Sequence, residues 1–132
     1  MTTANKSRAL LVDPVACVTT EVTLTDPNDW RQIAAFVQSE FLDAAYLQFA
    51  GDSHAIFVDD LGLAKDNPSF FKLIGDHNEQ RILAGRGLVM QFDRRTGECS
   101  STAQAIPDLP VEFITTAQAL AALNEQYGPR FF

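Results

Sequence analysis

The chain has 132 residues, 46% of them hydrophobic and 10% aromatic, which suits a single domain with an ordinary core over residues 1–132 and argues against general disorder. Seventeen acidic residues against ten basic ones give a net charge of −7, so binding to nucleic acid through phosphate contacts is not expected. The acidity fits plain solubility, a basic protein partner or an acidic mimic of nucleic acid.

The sequence gives no sign of membrane attachment or export. No stretch approaches the roughly 20 apolar residues of a membrane-spanning helix, and the first residues lack the pattern of a signal peptide. Cys17 and Cys99 could form a disulfide, but isolated cysteines of this kind are more typical of free thiols in a reducing compartment. We therefore predict a cytoplasmic protein without membrane contact, whose polar residues 1–7 are disordered.

The first two predicted strands form a hairpin. Arg8–Asp13 contains a continuous apolar run, and Cys17–Leu24 alternates between apolar and polar side chains, many of them β-branched. Asp13-Pro14 begins the turn between these strands.

A helix is predicted next. Asp26 is placed as its capping residue, and Pro27 suits the first helical position. The apolar residues that follow have the spacing of one helix face: Trp30, Ile33, Ala34 and Val37. This helix is expected to end near Ser39.

The middle of the chain predicts three further strands. They are Phe41–Phe49, His54–Asp59 and, as the longest, Arg81–Phe92. Residues 63–80 are expected to be irregular because an Asn-Pro pair interrupts them. Phe70-Phe71 lies in that segment and must be buried somewhere.

The C-terminal part predicts a return strand and a second helix. Cys99–Ala105 is the return strand, and two prolines then mark a loop. Thr115 and Gln118 form a capping box, and Gly128-Pro129 ends the helix. The buried face of this helix is predicted to hold Leu120, Leu123 and Tyr127. Together the elements predict an α+β domain, a mostly antiparallel sheet of about five to six strands covered by two helices.

Sequence motifs of enzymes and metal sites are missing from the chain. His54 and His77 are the two histidines, and their spacing is not that of metal ligands. There is no GxSxG nucleophile motif, no GxxxxGK phosphate loop and no complete GxGxxG fingerprint. We predict no catalytic residue, no metal and no cofactor, and we expect each histidine to lie at the surface or cap a turn.

The stretch Ala84-Gly85-Arg86-Gly87 places a charge inside a predicted strand. There Arg86 would share a face with apolar neighbours, where an unpaired charge is costly. We predict that a carboxylate holds it, with Asp59 as the first choice and Asp13 as the second. A β-bulge that turns the arginine outward is the alternative. The bare face of the glycines would accept a large side chain, and Trp30 is the largest available.

Asp59 and Asp60 are adjacent carboxylates that precede Leu61-Gly62. Paired carboxylates can bind a hard cation or perform acid–base chemistry, but turns favour aspartate for local hydrogen bonds, which is the preferred interpretation. Arg86 carries more donors than one carboxylate accepts, so it could also bind an anion. These three residues are the candidate ligand-binding residues.

Three segments of the chain are LLVDP, AIFVDDLGLAK and LAGRGLVMQFD, the last followed by a Thr-Gly-Glu turn. In this order they resemble segments of a group of small uncharacterised proteins carried by phages, plasmids and their bacterial hosts. The segments lie within residues 10–98, and the first helix lies where that group has one. The resemblance implies a small intracellular α+β protein, from a mobile element, and brings no catalytic residues with it.

The sequence favours a non-catalytic binding or regulatory protein that acts through contact with another protein. The alternative is a small enzyme or ligand-binding domain with a pocket around Arg86 and Asp59 or Asp60. A deep pocket with convergent polar groups would favour the alternative, and an apolar surface patch would favour protein binding. Two aromatic pairs, Phe70-Phe71 and Phe131-Phe132, also predict self-association as a two-fold dimer.

Overall fold

The computed structural model describes residues 6–62 and 68–127, without the side chain of Tyr127. This part of the chain contains nine strands and two α-helices, together with a 3₁₀ turn at Ile106–Asp108. The elements are β1 (Ser7–Asp13), β2 (Val18–Leu24), α1 (Trp30–Val37), β3 (Leu42–Phe49), β4 (Asp52–Asp59), β5 (Phe70–Ile74), β6 (Gln80–Ala84), β7 (Gly87–Asp93), β8 (Glu98–Ser100), β9 (Val111–Ile114) and α2 (Thr116–Tyr127).

The larger of two sheets is built around β7. This strand pairs with β1 on one side and with β4 on the other, which gives the order β2-β1-β7-β4-β3. β8 continues the pairing of β7 on the same side as β1. The predicted hairpin of β1 and β2 is confirmed, with Leu10 opposite Glu21. All the pairings in this sheet are antiparallel, and the α+β class is confirmed.

The smaller sheet has the order β6-β5-β9 and is also antiparallel. It lies against the inner face of the larger sheet, and the main hydrophobic core fills the space between them. The buried residues of this core are Leu10, Val12, Leu47, Phe49, Ile56, Val58, Phe71, Leu73, Val89 and Leu109.

Each helix covers a different sheet. α1 packs on the outer face of the larger sheet through Ile33 and Val37. α2 packs on the outer face of the smaller sheet through Ala119 and Leu123. The order of layers is therefore α1, larger sheet, smaller sheet, α2, and not one sheet covered by both helices as the sequence predicted.

The strand predicted at Arg81–Phe92 is two strands that belong to different sheets. β6 ends at Ala84, Gly85 has a φ of +81°, and β7 begins at Gly87. A bend of this kind redirects the chain from one layer to the next. The smaller sheet was missed for this reason, and because β5 lies in the segment predicted to be irregular.

The aromatic pair Phe70-Phe71 belongs to the core. The two side chains are 2% and 0% exposed, since β5 is the central strand of the smaller sheet. This pair therefore gives no support to self-association, and the argument from it was wrong. The second pair, Phe131-Phe132, lies outside the described residues, as does the predicted helix stop at Gly128-Pro129.

Several element ends differ from the sequence prediction. Disorder was predicted for residues 1–7, but Ser7 belongs to β1 and pairs with Leu24, so the prediction is wrong at Ser7. Residues 1–5 lie outside the described part. Asp29, not Asp26, is the capping residue of α1. The return strand predicted at Cys99–Ala105 is only β8.

The capping box of α2 is confirmed. The Thr115 hydroxyl accepts from the Gln118 N–H at 3.1 Å, and the Gln118 side chain accepts from the Thr115 N–H at 3.0 Å. These reciprocal bonds satisfy two backbone donors at the start of the helix. Neither α1 nor the described part of α2 is long and apolar enough to cross a membrane.

Candidate functional site

Arg86 lies at the end of the larger sheet where β1 ends and β7 begins. The carboxylate placed against it is Asp13, the second choice of the sequence analysis, with Arg86 Nη2 3.3 Å from Asp13 Oδ2. Its Nη1 also donates to the Phe36 carbonyl near the end of α1, at 3.5 Å. Because the arginine side chain is 32% exposed, the ion pair is half-buried and does not sit inside the core.

Asp59 and Asp60 lie at the same end of the sheet. On one side of β7 Leu88 pairs with Phe57, and on the other side Gly87 pairs with Val12. Continued to Arg86, these antiparallel registers place Asp59 on one side of it and Asp13 on the other. Asp59 is buried, and its Oδ1 accepts from the Ser39 hydroxyl at 2.7 Å and from the Leu61 N–H at 3.0 Å. These bonds tie the chain after α1 to the turn after β4.

Asp60 has an exposed side chain, and its backbone N–H donates to the Phe41 carbonyl at 2.7 Å. The structure thus brings the three predicted site residues to one corner of the molecule. The contacts described there hold α1, β1 and β4 together, which is a role in the fold.

The expected contact of Trp30 with the glycines is absent, since Trp30 is 56% exposed. Gly87 faces the Phe71 ring instead, and a Cβ at this position would overlap that ring. Gly85 has open space around it but adopts a positive φ. Two different constraints therefore explain the two glycines around Arg86.

β3 is the last strand of the larger sheet, and its outer edge is open among residues 6–62 and 68–127. Only the end of this edge is covered, where the Asp76 N–H donates to the Gln48 carbonyl at 2.8 Å. In an antiparallel ladder alternate residues face the same side, so Tyr46, Ala44 and Leu42 also direct their backbone groups to the open edge. The Ala44 N–H agrees with this, since it donates to its neighbour Asp43 at 2.9 Å.

A cavity of about 330 Å³ lies beside this edge, between α1 and the outer face of the larger sheet. We call it the apolar groove. Its walls include Trp30, Ala44, Tyr46, Phe57 and Phe92. The groove exists because α1 has only eight residues and leaves part of the sheet uncovered. Tyr46 is 50% exposed as a result.

A second cavity of about 250 Å³ adjoins the first, and we call it the arginine pocket. Its charged residues are Arg81, Arg94 and Glu79, and His77 also lines it. Tyr46 and Phe92 line both cavities, and their ring centroids are 4.8 Å apart, so this aromatic pair forms the wall between them. Within the described part of the chain, neither arginine side chain makes an ion pair or a hydrogen bond.

His54 is buried and 1% exposed, which corrects the expected surface position. Its Nδ1 lies 3.0 Å from the Asp52 carbonyl, and its ring stacks on Phe49 with centroids 3.7 Å apart. Burial lowers its pKa, a change that the Asp52 carbonyl only partly offsets. Its Nε2 has no hydrogen-bond partner among the described residues. This histidine is a core residue.

The described part of the chain contains no cluster of three or more His, Cys, Asp or Glu side chains that could hold a metal ion. Both cysteines are free thiols, Cys17 exposed and Cys99 buried. Burial raises the pKa of the Cys99 thiol, which disfavours the reactive thiolate.

Sequence reasoning missed the groove and the pocket, because their residues come from α1, the β3–β4 hairpin, the β5–β6 turn and β7. Trp30 was assigned to the buried face of its helix. The signal that could have found the groove was the shortness of α1, which cannot cover a sheet of six strands. No family model, no curated protein and no solved structure matches the chain.

Proposed function

We propose that this protein is a binding module that takes up an extended segment of a partner protein along the open edge of β3. A large apolar side chain of that segment occupies the apolar groove. The observation that carries the proposal is the position of the groove directly beside a sheet edge that pairs with no further strand among the described residues.

An added strand gains affinity from main-chain hydrogen bonds and specificity from the pockets that receive alternate side chains. Natural edge strands are usually protected by lysine, proline or a bulge. β3 has the sequence LDAAYLQF, with no lysine or proline and an uninterrupted register with β4, and Asp43 is its one charged residue. Its exposed Tyr46 would lose water on binding, and burial of a large apolar side chain contributes about 1.5–3 kcal/mol.

The alternative function, a ligand pocket around Arg86 and Asp59 or Asp60, has less support. Arg86 and Asp59 use hydrogen-bonding groups to hold the fold. The two cavities beside β3 are lined by other residues. The intracellular location and the mobile-element origin stay predictions from the sequence.

Panning a library of linear phage-displayed peptides against the purified protein tests the proposal. The enriched peptides should carry one large apolar residue among β-branched neighbours. Binding should shift the amide resonances of Leu42, Ala44 and Tyr46. Ala44→Lys and Tyr46→Ala should each lower peptide affinity about tenfold or more, about 1.4 kcal/mol, because the first places a charge in the apolar groove and the second removes an apolar wall of it.

Thr20→Lys is the matched control, since it places the same charge on β2 at the opposite edge of the same sheet. It should leave peptide affinity unchanged. The proposal is wrong if no peptide is enriched, or if binding responds to Thr20→Lys and not to the β3 variants. A dimer that Ala44→Lys dissociates would assign the edge to a second copy of the chain and would also overturn it.

A further inference from the structure

The arginine pocket lies at the point where the open edge of β3 ends. Beyond Tyr46 the turn between β5 and β6 closes the edge through the bond from Asp76 to Gln48. The Asp76 carboxylate also accepts from the N–H groups of Ala50 and Gly51, at 2.9 and 3.0 Å. These bonds fix the turn on the β3–β4 hairpin, so the pocket wall that follows is anchored to both sheets.

The charges in this pocket favour an anion. Arg81 comes from β6 and Arg94 from the turn after β7, and both guanidinium groups lack a partner within the described residues. Glu79 is the opposing charge, and its Oε1 lies 3.4 Å from the His77 N–H. Two arginines therefore face one carboxylate, in a chain whose net charge is −7.

The neighbouring aspartates do not fill this role. Asp76 is held by the backbone groups of the β3–β4 turn. Asp93 accepts from the Arg95 N–H at 2.8 Å within its own turn. Within the described residues, no carboxylate forms an ion pair with Arg81 or Arg94.

We propose that the arginine pocket binds a carboxylate of the same partner segment that lies along β3, an inference that rests on the proposed function. Arginine binds carboxylates with two parallel hydrogen bonds, which gives direction as well as affinity. The wall of Tyr46 and Phe92 is shared by the two cavities, so a segment that crosses it enters both. The apolar groove binds the large apolar side chain of the partner segment, and the arginine pocket binds the carboxylate of that segment.

The geometry also sets the spacing of the two groups in the partner. Side chains on one face of an extended chain repeat about every 7 Å. Because the two cavities share a wall, the carboxylate belongs about two to four residues from the apolar anchor. It comes either from an Asp or Glu side chain or from the C-terminus of the segment.

The enriched peptides supply the test. Each is made in three forms: unchanged, with its acidic residue replaced by the corresponding amide, and with an amidated C-terminus. The form that removes the recognised carboxylate should bind about tenfold more weakly, as expected for loss of a charged hydrogen bond. Arg81→Gln and Arg94→Gln should weaken the unchanged peptide to the same degree and should leave the neutral form unaffected.

Arg95→Gln is the matched control, because it removes an arginine of the same turn that does not line the pocket. If peptides bind at the β3 edge but neither their carboxylates nor the two arginines matter, this inference is overturned while the proposed function stands. If binding depends on the arginines but not on Ala44 or Tyr46, the pocket acts apart from the edge and both proposals fail.

Discussion

Gly85 and Gly87 flank Arg86, and a side chain is disfavoured at each position for a different physical reason. Gly85 has a φ of +81°, a conformation that side chains with a Cβ rarely adopt. Gly87 lies under the ring of Phe71, which is fully buried between the sheets. The first glycine redirects the chain between the sheets, and the second lets the sheets approach each other.

Substitution of each glycine by alanine separates these effects. Gly87→Ala should lower the free energy of unfolding by about 1–3 kcal/mol, because the added methyl overpacks the core. Gly85→Ala should cost about 1 kcal/mol, since it strains the backbone without a clash. Urea denaturation of both variants measures the difference. A larger loss for Gly85→Ala would contradict the assigned role of Phe71.

His54 is a buried base next to the inter-sheet core. Its pKa in the folded protein is lowered from the usual 6.5, mainly because burial penalises the charged form. At pH values between this lowered pKa and the usual 6.5 of the unfolded chain, the unfolded chain binds more protons than the folded protein does. The free energy of unfolding should therefore decrease as the pH falls below 6.5. Above pH 6.5 the stability that comes from keeping His54 neutral in the core is fully present.

His54→Phe keeps an aromatic ring against Phe49 and removes the titrating group. We expect its urea midpoint to change less between about pH 7.5 and about pH 5 than that of the wild type. His77→Gln removes the exposed histidine and serves as the control. If His77→Gln reduced the pH dependence of the urea midpoint as much as His54→Phe does, burial of His54 would not be the cause of that dependence.

At the scale of elements, Arg86 joins three of them. It pairs with Asp13 at the end of β1, precedes β7 and reaches the carbonyl of Phe36 in α1. Asp13 is also held without it, because its Oδ1 accepts from the N–H groups of Val15 and Ala16 at 3.0 and 3.3 Å. Loss of the arginine therefore leaves a carboxylate that still has partners.

Arg86→Met should lower the free energy of unfolding by only about 1 kcal/mol, because the pair is partly exposed and Asp13 keeps its two backbone donors without the arginine. Had the arginine stood inside the core, as the sequence suggested, the same change would have unfolded the protein. Thermal melting of the variant distinguishes the two cases. A variant that fails to fold would show that Asp13 cannot hold its place alone.

The elements with local signals were predictable from the sequence. The β1–β2 hairpin follows from alternation across a short turn, and the capping box marks the start of α2. The division of Arg81–Phe92 was not predictable, because both halves have strand propensity and the positive φ that bends the chain at Gly85 is set by the packing of the two sheets. β5 was hidden for a related reason: its sequence FFKLI is apolar apart from Lys72 and shows no regular alternation of polar and apolar side chains.

The candidate site was predictable only in part. The corner of Arg86, Asp13 and Asp59 was found because a charge in an apolar run requires a partner. The positions of the apolar groove and the arginine pocket depend on which part of the larger sheet the short helix α1 leaves uncovered. That is decided by tertiary packing, so Tyr46 and Arg81 could not be related from their positions in the chain.

At the scale of the whole molecule, the two sheets are tied together at one end by Asp76 and at the other by the bend at Gly85. The arginine pocket lies near the Asp76 end, while the Arg86 corner lies at the opposite end of the larger sheet, where Leu42 of β3 pairs with Asp59. Substitutions at the Arg86 corner can therefore be studied for stability without a direct effect on the arginine pocket.

The central position of β7 has a consequence for synthesis on the ribosome. The β1–β2 and β3–β4 hairpins leave the ribosome first, yet β7, residues 87–93, is the strand that joins them in the sheet. Until that strand emerges, the nascent chain carries two hairpins whose inner edges and apolar faces are open to solvent. Long-range strand pairing of this kind is slow and exposes chains to aggregation. The growing polypeptide is therefore in greatest need of a chaperone during the interval before its seventh strand is made.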